Sequence, residues 1–598
     1  MIAEHFQVSH AKRPRLRIGI LLDGLSLPRC FEQVIDHIQK SNFATIELLM
    51  IQASPSSNMF TPHRPKWRVL WDILSDSKRR KQLGFTLYCK FDQKYFLEEN
   101  HPQEEIDCAE KLSGIESLKI TPIVKGFVHR FAAPDIEEIR KRDLDVILRF
   151  GFNILRGDIL TAARYGVWSY HHGDNEFIRG GPSHFWELYE EYKLSGVILQ
   201  VLTEEIDAGL VLAKALFPTV PGGISTLQNR FTPYWGAVHL MIQKLYELHN
   251  YGWEHLKRHS IPNKPYQGKR KMYRTPTNWD LLRWLLPSLV TKSLRRLERL
   301  ASGDRILFSR TATRTGSRQL LHQADPGDRS AFKWQAPPKG HFHADPFLVR
   351  ASDRIWMFFE DYTYSESKAV IACREVFPNG ELGEIQTVLT RPYNLSYPLV
   401  FRHDGGYYLV PDSAANRTVE LYRATSFPDQ WSLEKVLFRG KAVNTTVFMD
   451  GETFWFLTTL LAPAGDGMCL CLFYSDRVDG EWQWHPSNPI SMDVRDARCG
   501  GRVFRHDGKV IRISLDSSCR NGSSLSFREI VTLTKTEYRE ILLQTVEPWS
   551  KSFQGTHTYD HCSGIEVIDG LSYAPRSIHL ASVGLSAEDS MKDEVEPG

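Results

Sequence analysis

The N-terminal part of the 598-residue chain alternates between buried-strand and amphipathic-helix patterns. An apolar run over residues 15–23 is followed by apolar side chains at helical spacing between positions 27 and 41, and then by a second apolar run over 44–51. Strand, helix and strand in this order predict the opening of a parallel α/β sheet. The same pattern predicts later strands over 120–128 and 143–155, and helices over 133–142 and 224–259.

From Phe332 onward the pattern changes to short aromatic and β-branched runs with frequent turns. A unit made of an apolar strand, an Asp-Gly-type turn and an aromatic strand recurs roughly every 50 to 60 residues, and Asp-Gly supplies the positive φ that a two-residue hairpin needs. One four-stranded blade per unit predicts an all-β five-bladed propeller, and two β-sandwich domains are the alternative. The units begin at Phe347, Phe401, Phe448, Phe504 and Ile565.

These patterns predict four segments along the chain. They are an α/β domain over 15–260, a basic helical connector and linker over 261–330, a propeller over 331–585 and a disordered acidic tail over 586–598. Within the connector, residues 264–300 carry ten Lys and Arg interleaved with tryptophan and leucine. Such a segment is typical either of a helix packed between domains or of a peripheral contact with an anionic membrane surface.

Composition narrows the function classes. The net charge of +3 is close to neutral for this length, so no nucleic-acid partner is expected. The nine cysteines are scattered without a CxxC pair, which predicts reduced thiols, a cytoplasmic location and no structural metal site. The sequence has no apolar run of about eighteen residues, so we predict no transmembrane helix. We also expect no signal or transit peptide at the N-terminus.

The stretch from Gly166 to Leu212 holds the densest chemistry. An apolar run turns into a His-His-Gly-Asp loop, Arg179-Gly180 follows, and a second apolar run ends in a charged turn containing Asp207. Open α/β sheets carry their sites in loops at strand ends, so the histidines and Asp207 are expected to meet there. A histidine paired with a carboxylate is a proton shuttle.

These residues resemble the folate-dependent formyltransferases, the family of methionyl-tRNA formyltransferase and the sugar N-formyltransferases. The resemblance implies a Rossmann-like fold and transfer of a formyl group from 10-formyltetrahydrofolate to an amine. The family histidine and aspartate fall on His171 and Asp207, and the family asparagine falls on Ser169. His172 is the alternative catalytic histidine, or a substitute for the missing amide as the donor to the oxyanion.

The resemblance also implies a cosubstrate site and an acceptor. For Phe150, Phe152 and Leu155, which belong to the expected cosubstrate site, the alternative interpretation is an ordinary central strand. The expected acceptor is an amino sugar or glycoconjugate precursor, and the competing hypothesis is a formyltransferase fold that has lost catalysis beside a glycan-binding or glycan-processing propeller. The expected cosubstrate-binding residues are Phe150, Gly151, Phe152, Leu155, Gly173 and Arg179.

Polar clusters precede the five hairpin units and are expected to converge at one end of the propeller channel. The His-Ala-Asp-Pro element resembles the first-blade Asp-Pro of five-bladed glycoside hydrolases, and this half of the chain resembles the propeller of plant inositolphosphorylceramide glycosyltransferases. The resemblance implies glycan binding, with hydrolysis or a structural role as alternatives. The expected pocket residues are His343, Asp345, Tyr397, Asn444, Arg498 and His557.

Overall fold

The computed structural model describes residues 2–53, 76–205, 209–220, 222–302, 305–317, 319–462, 465–518, 522–550 and 553–575. The chain divides into two compact units. The first contains Met1–Thr291 and Ala462–Gly467, and the second contains Lys292–Leu461 and Met468–Gly598.

The first unit is an α/β domain. Its strands are β1 (Leu16–Leu22), β2 (Ser26–Pro28), β3 (Ala44–Gln52), β4 (Glu105–Asp107), β5 (Ser117–Ile120), β6 (Ile123–Lys125), β7 (Val128–Arg130), β8 (Val146–Arg149), β9 (Ile154–Leu155), β10 (Val167–His171), β11 (Leu194–Val201) and β12 (Leu210–Pro218). Its helices are α1 (Arg29–Lys40), α2 (Ser77–Phe96), α3 (Ala109–Leu112), α4 (Ala133–Arg140), α5 (Trp186–Tyr189), α6 (Thr226–Tyr251) and α7 (Trp253–Arg258), followed by α8 (Asn278–Ser302).

The main sheet of this unit has seven strands in the order β12-β11-β10-β8-β1-β3-β5. Strands β10, β8, β1, β3 and β5 pair in parallel, and β11 and β12 pair antiparallel at one edge. Six of the seven β1 residues are buried, as expected for a central strand covered on both faces. The predicted N-terminal α/β sheet is confirmed.

The predicted strand over 120–128 is instead three short strands, β5, β6 and β7. Pro122 follows β5 and has no backbone N–H to donate to a continuing ladder. Gly126, with a φ of 65°, then turns the chain so that β6 pairs with β7. Pro122 and Gly126 therefore divide an apolar run that periodicity alone predicted to be one strand.

The second unit is all β apart from short helical turns and the end of α8. Its strands are β13 (Arg305–Thr315), β14 (Lys333–Trp334), β15 (His341–Ala351), β16 (Arg354–Thr363), β17 (Lys368–Val376), β18 (Gln386–Leu389), β19 (Ser396–His403), β20 (Gly406–Ser413), β21 (Thr418–Ser426), β22 (Gln430–Arg439), β23 (Ala442–Asp450), β24 (Thr453–Ala462), β25 (Gly465–Ser475), β26 (Gln483–Trp484), β27 (Phe504–His506), β28 (Lys509–Asp516), β29 (Ser524–Leu533), β30 (Tyr538–Val546), β31 (Gly555–Cys562) and β32 (Ile565–Pro575), and α9 spans Pro326–Arg329.

These strands form five four-stranded sheets. Four are consecutive in the chain, β15–β18, β19–β22, β23–β26 and β27–β30, and the fifth has the order β14-β13-β32-β31. The predicted all-β character of the C-terminal half is confirmed. Each sheet has one of the predicted repeat units in it, so the sequence repeat and the structural repeat coincide.

The hairpin turns agree with the predicted Asp-Gly chemistry in the second and fourth units. Asp404-Gly405 and Asp507-Gly508 both have positive φ, as a two-residue hairpin requires. The fifth unit is a correction, because Asp569 and Gly570 lie inside β32 and the turn falls earlier in the chain, at Ser563-Gly564. Asp569 is thereby placed in a strand, opposite Thr311 of β13.

Strand β13 is a second correction. The polar composition of residues 302–329 predicts a linker, yet β13 pairs with β32 at eleven successive positions, from Arg305 opposite Pro575 to Thr315 opposite Ile565. The two strands are about 250 residues apart in sequence, so no local pattern could reveal their pairing. None of the described helices has the length and hydropathy needed to cross a membrane.

Candidate functional site

The first candidate site lies where the parallel strands β1 and β8 end. The loop after β8 approaches the loop after β1 so closely that the N–H of Phe152 donates to Asp23 Oδ1 at 2.6 Å. A Cβ at Gly151 would stand 2.3 Å from the backbone nitrogen of Asp23, so only glycine fits there. The crevice beyond strand ends is where open α/β sheets bind ligands.

A cavity of about 260 Å³ opens beside this crevice. Two arginines, Arg149 and Arg156, line it together with the half-buried His171. Arg156 pairs with Glu204 at 3.2 Å. The cavity residues are Arg149, Ile154, Leu155, Arg156, Ser169, Tyr170, His171, Gly180, Gln200, Leu202, Thr203, Glu205 and Gly209.

The hydroxyl of Ser169 is occupied by neighbours inside the protein. It donates to the carbonyl of Tyr170 at 3.0 Å and accepts from Nη1 of Arg149 at 2.9 Å. A hydroxyl has a single proton to donate. In this arrangement Ser169 therefore does not offer the hydrogen bond that an oxyanion would need.

The two adjacent histidines lie in different environments. Nε2 of His171 is 3.0 Å from the carbonyl oxygen of Ile178 and donates to it, which fixes the ring tautomer. The ring of His172 is buried and stacks on Tyr234 with centroids 3.7 Å apart. Burial lowers the pKa of His172 to about 3. Asp207 lies outside the described residues.

A buried polar group beside His172 was not anticipated from sequence. Neither ring nitrogen of His172 or His184, and neither carboxylate oxygen of Glu187, has a hydrogen-bond partner among the described residues. Nδ1 of His184 and Oε1 of Glu187 are 3.7 Å apart. Burial raises the pKa of Glu187 to about 8, so its carboxyl group is largely protonated at neutral pH.

The expected cosubstrate residues are dispersed. Phe150 stacks on Phe31 with centroids 4.5 Å apart, and Phe152 is buried in the core of the first unit. The Arg179 guanidinium lies over Tyr266 at 4.6 Å. Leu155 lines the cavity. A Cβ at Gly173 would lie 3.0 Å from His171 Nε2.

The second candidate site lies in the second unit, where one edge strand in each of four sheets is interrupted at an equivalent point. The pairing of β15, β19, β23 and β31 with their neighbours each skips two residues. The skipped residues at three of these bulges begin with a positive φ, 53° at Asp345, 45° at Tyr397 and 51° at Asn444. Bulges re-aim side chains and are concentrated at functional sites. The skipped pairs are Asp345-Pro346, Tyr397-Pro398, Asn444-Thr445 and His557-Thr558.

Asp345 is the hub of this bulge cluster, which we define as Asp345, Glu360, Asp412, Asn444, Arg498, His557 and Asp569. Its Oδ1 accepts from Nδ1 of His557 at 2.8 Å and from the hydroxyl of Thr558 at 2.7 Å. Its Oδ2 accepts from the N–H of Tyr397 at 3.1 Å. One carboxylate thus connects three of the bulged strands.

The electrostatics of Asp345 and His557 are those of an ion pair. Burial alone would raise the pKa of Asp345, but the charge of His557 and the hydrogen bonds from His557 and Thr558 hold that pKa below its usual value. Burial alone would lower the pKa of His557, but the charge and hydrogen bond of Asp345 raise it. Each group therefore favours the charged form of the other.

Asn444 and Arg498 form the other side of the cluster. Nε of Arg498 donates to Oδ1 of Asn444 at 2.8 Å, and the N–H of Asn444 donates to Asp412 at 3.2 Å. Burial raises the pKa of Asp412 to about 6. Among the described residues, neither terminal nitrogen of the half-buried Arg498 has a hydrogen-bond partner, so both can serve a ligand.

The last acidic member of the cluster is Glu360, a protonated carboxyl group near the ionised carboxylate of Asp345. It stands opposite Ala344 on β16, is half-buried and has no hydrogen-bond partner in the described part of the chain. Burial, and next the negative charges of Asp345, Asp412 and Asp569, raise its pKa well above the usual value. Glu360 and Asp345 therefore form a pair of one protonated and one ionised carboxyl group, a division typical of functional sites.

Ligand atoms of Asp345, His557 and Asp569 all lie within 4.8 Å of one another, a spacing that could hold a metal ion. The protein itself already uses these atoms. Asp569 accepts from the N–H groups of Asp345 and Thr558, and His557 Nδ1 is bound to Asp345. The donor set is thus satisfied by hydrogen bonds, and we assign no metal to it.

Two of the six expected pocket residues have other contacts. Burial lowers the pKa of His343 to about 3, and its ring is 3.4 Å from a nitrogen of Arg374. The Tyr397 hydroxyl accepts from the N–H of Gly501 at 2.8 Å and joins neighbouring sheets. The acidic members Glu360 and Asp412 each follow a bulge residue by fifteen positions in the sequence, a regular spacing that could have identified them.

Comparison with known proteins concerns mainly the second unit. Residues 329–562 match the family model described as glucosamine inositolphosphorylceramide transferase 1, N-terminal. Glucosamine inositolphosphorylceramide transferase 1 of Oryza sativa subsp. japonica is 32% identical over 206 residues, which cover 34% of this chain and 28% of the relative. The Arabidopsis thaliana protein of that name is 32% identical over 207 residues, 34% of this chain and 27% of the relative. The chain thus spans less than a third of the length of these relatives.

Solved structures give weaker likenesses. Glycinamide ribonucleotide transformylase 1 from Symbiobacterium toebii is 15% identical, with a TM-score of 0.25, over 39% of this chain and 87% of that chain. An α-L-arabinanase from Cellvibrio cellulosa is 10% identical, with a TM-score of 0.27, over 33% of this chain and 77% of that chain.

These comparisons correct the functional prediction. The resemblance of the C-terminal half to the plant inositolphosphorylceramide glycosyltransferases is confirmed by the family match. The prediction of a folate-dependent N-formyltransferase with 10-formyltetrahydrofolate as cosubstrate is wrong, because the curated relatives are named as glucosamine inositolphosphorylceramide transferases. The occupied hydroxyl of Ser169 and the buried ring of His172 agree with this correction.

Proposed function

We propose that the protein takes part in glycosyl transfer to an inositolphosphoryl glycolipid, and that the second unit binds the sugar–inositol phosphate headgroup in the bulge cluster. The family match over 329–562 supports this proposal, since it includes every member of the cluster except Asp569. The curated relatives are named glucosamine inositolphosphorylceramide transferase 1.

We further infer that the five sheets stand as five blades of a propeller. Strands β31 and β15, β15 and β19, and β19 and β23 are neighbours. Asn444 Nδ2 donates to the carbonyl of Cys499, and Gly501 bridges to Tyr559, which continues the series back to β31. This cyclic order favours a propeller over two sandwiches, and it brings the bulges to one end of the axis.

The open hydrogen-bonding groups of the cluster are the observation on which the proposal rests. The terminal nitrogens of Arg498 can bind two phosphate oxygens at once, as arginine commonly does. Glu360 can donate in its protonated form and accept through its other oxygen. Asp345, whose oxygens are engaged by His557, Thr558 and Tyr397, contributes negative charge beside it. Sugar and inositol hydroxyls both donate and accept, so a mixed set of this kind suits them.

Calorimetric titration of the full chain tests headgroup binding. Glucosaminyl-inositol phosphate is expected to bind saturably, and free glucose is expected to bind much more weakly because it lacks the phosphate. Arg498→Gln should weaken binding by roughly tenfold to a hundredfold, the range that one charge-assisted hydrogen bond contributes.

Arg495→Gln is the matched control. Arg495 lies three residues earlier and pairs with Asp493 at 2.5 Å, so its loss should leave the affinity unchanged. Equal affinities of wild type and Arg498→Gln, with both proteins folded by thermal melting, would contradict the proposed site. Transfer is tested separately by following labelled glucosamine from an activated donor into inositolphosphorylceramide, and binding without product would limit the role to recognition.

A further inference from the structure

Helices α2 and α8 pack against each other through their N-terminal halves. Oδ1 of Asn278 accepts from the N–H of Gly84 at 2.7 Å, and its Nδ2 donates to the carbonyl of Arg80 at 2.8 Å. Tyr88 meets Trp284 edge to face with ring centroids 5.6 Å apart. One face of each helix is therefore fully used by the core of the first unit.

A second face of each helix is apolar and exposed. On α8 the exposed apolar positions follow the spacing of one helical stripe, and they lie opposite the buried Leu281 and Trp284. On α2 they follow at intervals of four residues. We call this set the α2/α8 face. Its members and exposed fractions are Leu87 57%, Phe91 45%, Tyr95 61%, Trp279 69%, Leu282 47%, Leu286 53%, Leu289 47% and Val290 55%.

Single exposed leucines are common in globular proteins, but exposed apolar residues grouped along two packed helices indicate an interaction site. The helix ends also contribute aromatic residues with polar groups, Trp279 and Tyr95, which are the residues preferred at a membrane–water interface.

Helix α2, which supplies half of the α2/α8 face, carries an excess of positive charge. The α2 sequence has six basic residues and one acidic residue, Asp92. Asp92 is buried and accepts from the hydroxyl of Thr226 at 2.6 Å, so it does not offset the exposed charge. Lys94 lies over the ring of Tyr95 at 5.1 Å, where its aliphatic stem covers apolar surface while the ammonium group reaches water.

From the exposed apolar stripes and their basic surroundings, we propose that the α2/α8 face binds an anionic phospholipid bilayer, with both helices lying in the plane of the interface. Apolar side chains would enter the acyl boundary, and lysines and arginines would meet lipid phosphates. The inference is independent of headgroup binding, because its residues belong to the other unit and act on bulk lipid.

Vesicle sedimentation with the full chain tests the proposal. Wild-type protein should sediment with vesicles of 30% phosphatidylserine in phosphatidylcholine and remain in solution with pure phosphatidylcholine. The double variant Phe91→Asp with Leu286→Asp should partition at least tenfold less. Lys90→Ala with Lys94→Ala should lose roughly tenfold, since each basic residue near an anionic surface adds to binding.

Leu433→Asp is the matched control, because Leu433 is a 50%-exposed leucine on β22 of the second unit. It should sediment like wild type. The proposal is overturned if wild-type protein does not bind the anionic vesicles, or if it binds neutral vesicles equally well. It is also overturned if sedimentation equilibrium shows a dimer that the Phe91/Leu286 variant dissociates, since the face would then join two copies of the chain.

Discussion

Replacing Asp345 by asparagine should destabilise the second unit by about 3–5 kcal/mol, the usual cost of removing one partner of a buried ion pair. The substitution keeps the shape of the side chain but leaves it only one acceptor atom. If the amide oxygen faces His557 and Thr558, the amide nitrogen faces the N–H of Tyr397, and two donors oppose each other. The opposite rotamer leaves both His557 and Thr558 without an acceptor.

The destabilisation should depend on pH in a definite direction. The pKa of Asp345 is lowered by its partners in the folded protein, so its contribution is present above the unfolded value of about 3.9 and is lost as pH falls through the folded value. The pKa of His557 is raised, so its contribution is complete below about 6.5 and is lost as pH rises through the folded value. The difference between wild type and Asp345→Asn should therefore be largest between about pH 4 and 6.5.

Hydrogen-exchange mass spectrometry of the full chain reports on the strands of the second unit individually. Amides of β15 and β31 should exchange on the order of a hundredfold faster in Asp345→Asn, as follows from about 3 kcal/mol. Asp404→Asn is the control, because Asp404 is an 85%-exposed carboxylate in a hairpin turn that asparagine suits equally well. A change below threefold, or one that is constant from pH 4 to 9, would refute the ion-pair reasoning.

Three further predictions concern the interior of each unit. Gly151→Ala should lower the stability of the first unit by about 3 kcal/mol in thermal melting, since the new Cβ would collide with backbone; an unchanged melting temperature would contradict the close approach of the two loops. Tyr397→Phe should cost about 1–3 kcal/mol in urea unfolding, because the buried N–H of Gly501 loses its acceptor while the carbonyl of Gly501 keeps the hydroxyl of Thr446, and a cost under about 0.5 kcal/mol would show that this link is dispensable. Glu187 has a pKa raised by burial to about 8, so wild-type stability should fall as pH rises from about 4.5 to 8. Glu187→Gln should match wild type at pH 4 and exceed it by several kcal/mol at pH 8.5, and identical stability curves would exclude a buried protonated carboxyl.

Several features of the fold follow from local sequence. The β1–α1–β3 unit was predictable because strand and helix periodicities extend over a few residues and are set by which side faces the core. The Asp404-Gly405 and Asp507-Gly508 turns were predictable because a two-residue hairpin needs positive φ at both positions. The bulge residues Asp345, Asn444 and His557 were candidates because each lies in a polar cluster that precedes a hairpin unit.

The pairing of distant segments was decided only by the tertiary structure. Thr and Arg residues in β13 are as typical of a loop as of a strand, and β13 became a strand because β32 offered eleven backbone partners. The same pairing places Asp569 and Gly570 inside β32. There the carboxylate of Asp569 accepts a hydrogen bond from the N–H of Asp345. Such contacts have no local signal, because loop closure over long separations depends on the whole fold.

Burial, and with it the chemistry of each side chain, was also settled in three dimensions. The sequence determined that two histidines stand together at a strand end, but only packing against Tyr234 made one of them a buried neutral ring. It determined that Glu360 and Asp345 are carboxyl groups, but only their different neighbours in the fold separated their pKa values. Burial acts on both, while His557 and Thr558 lower the pKa of Asp345 and the nearby carboxylates raise that of Glu360. The physical reason is that ionisation depends on solvent and neighbouring charge, which are properties of position in the fold and not of residue type.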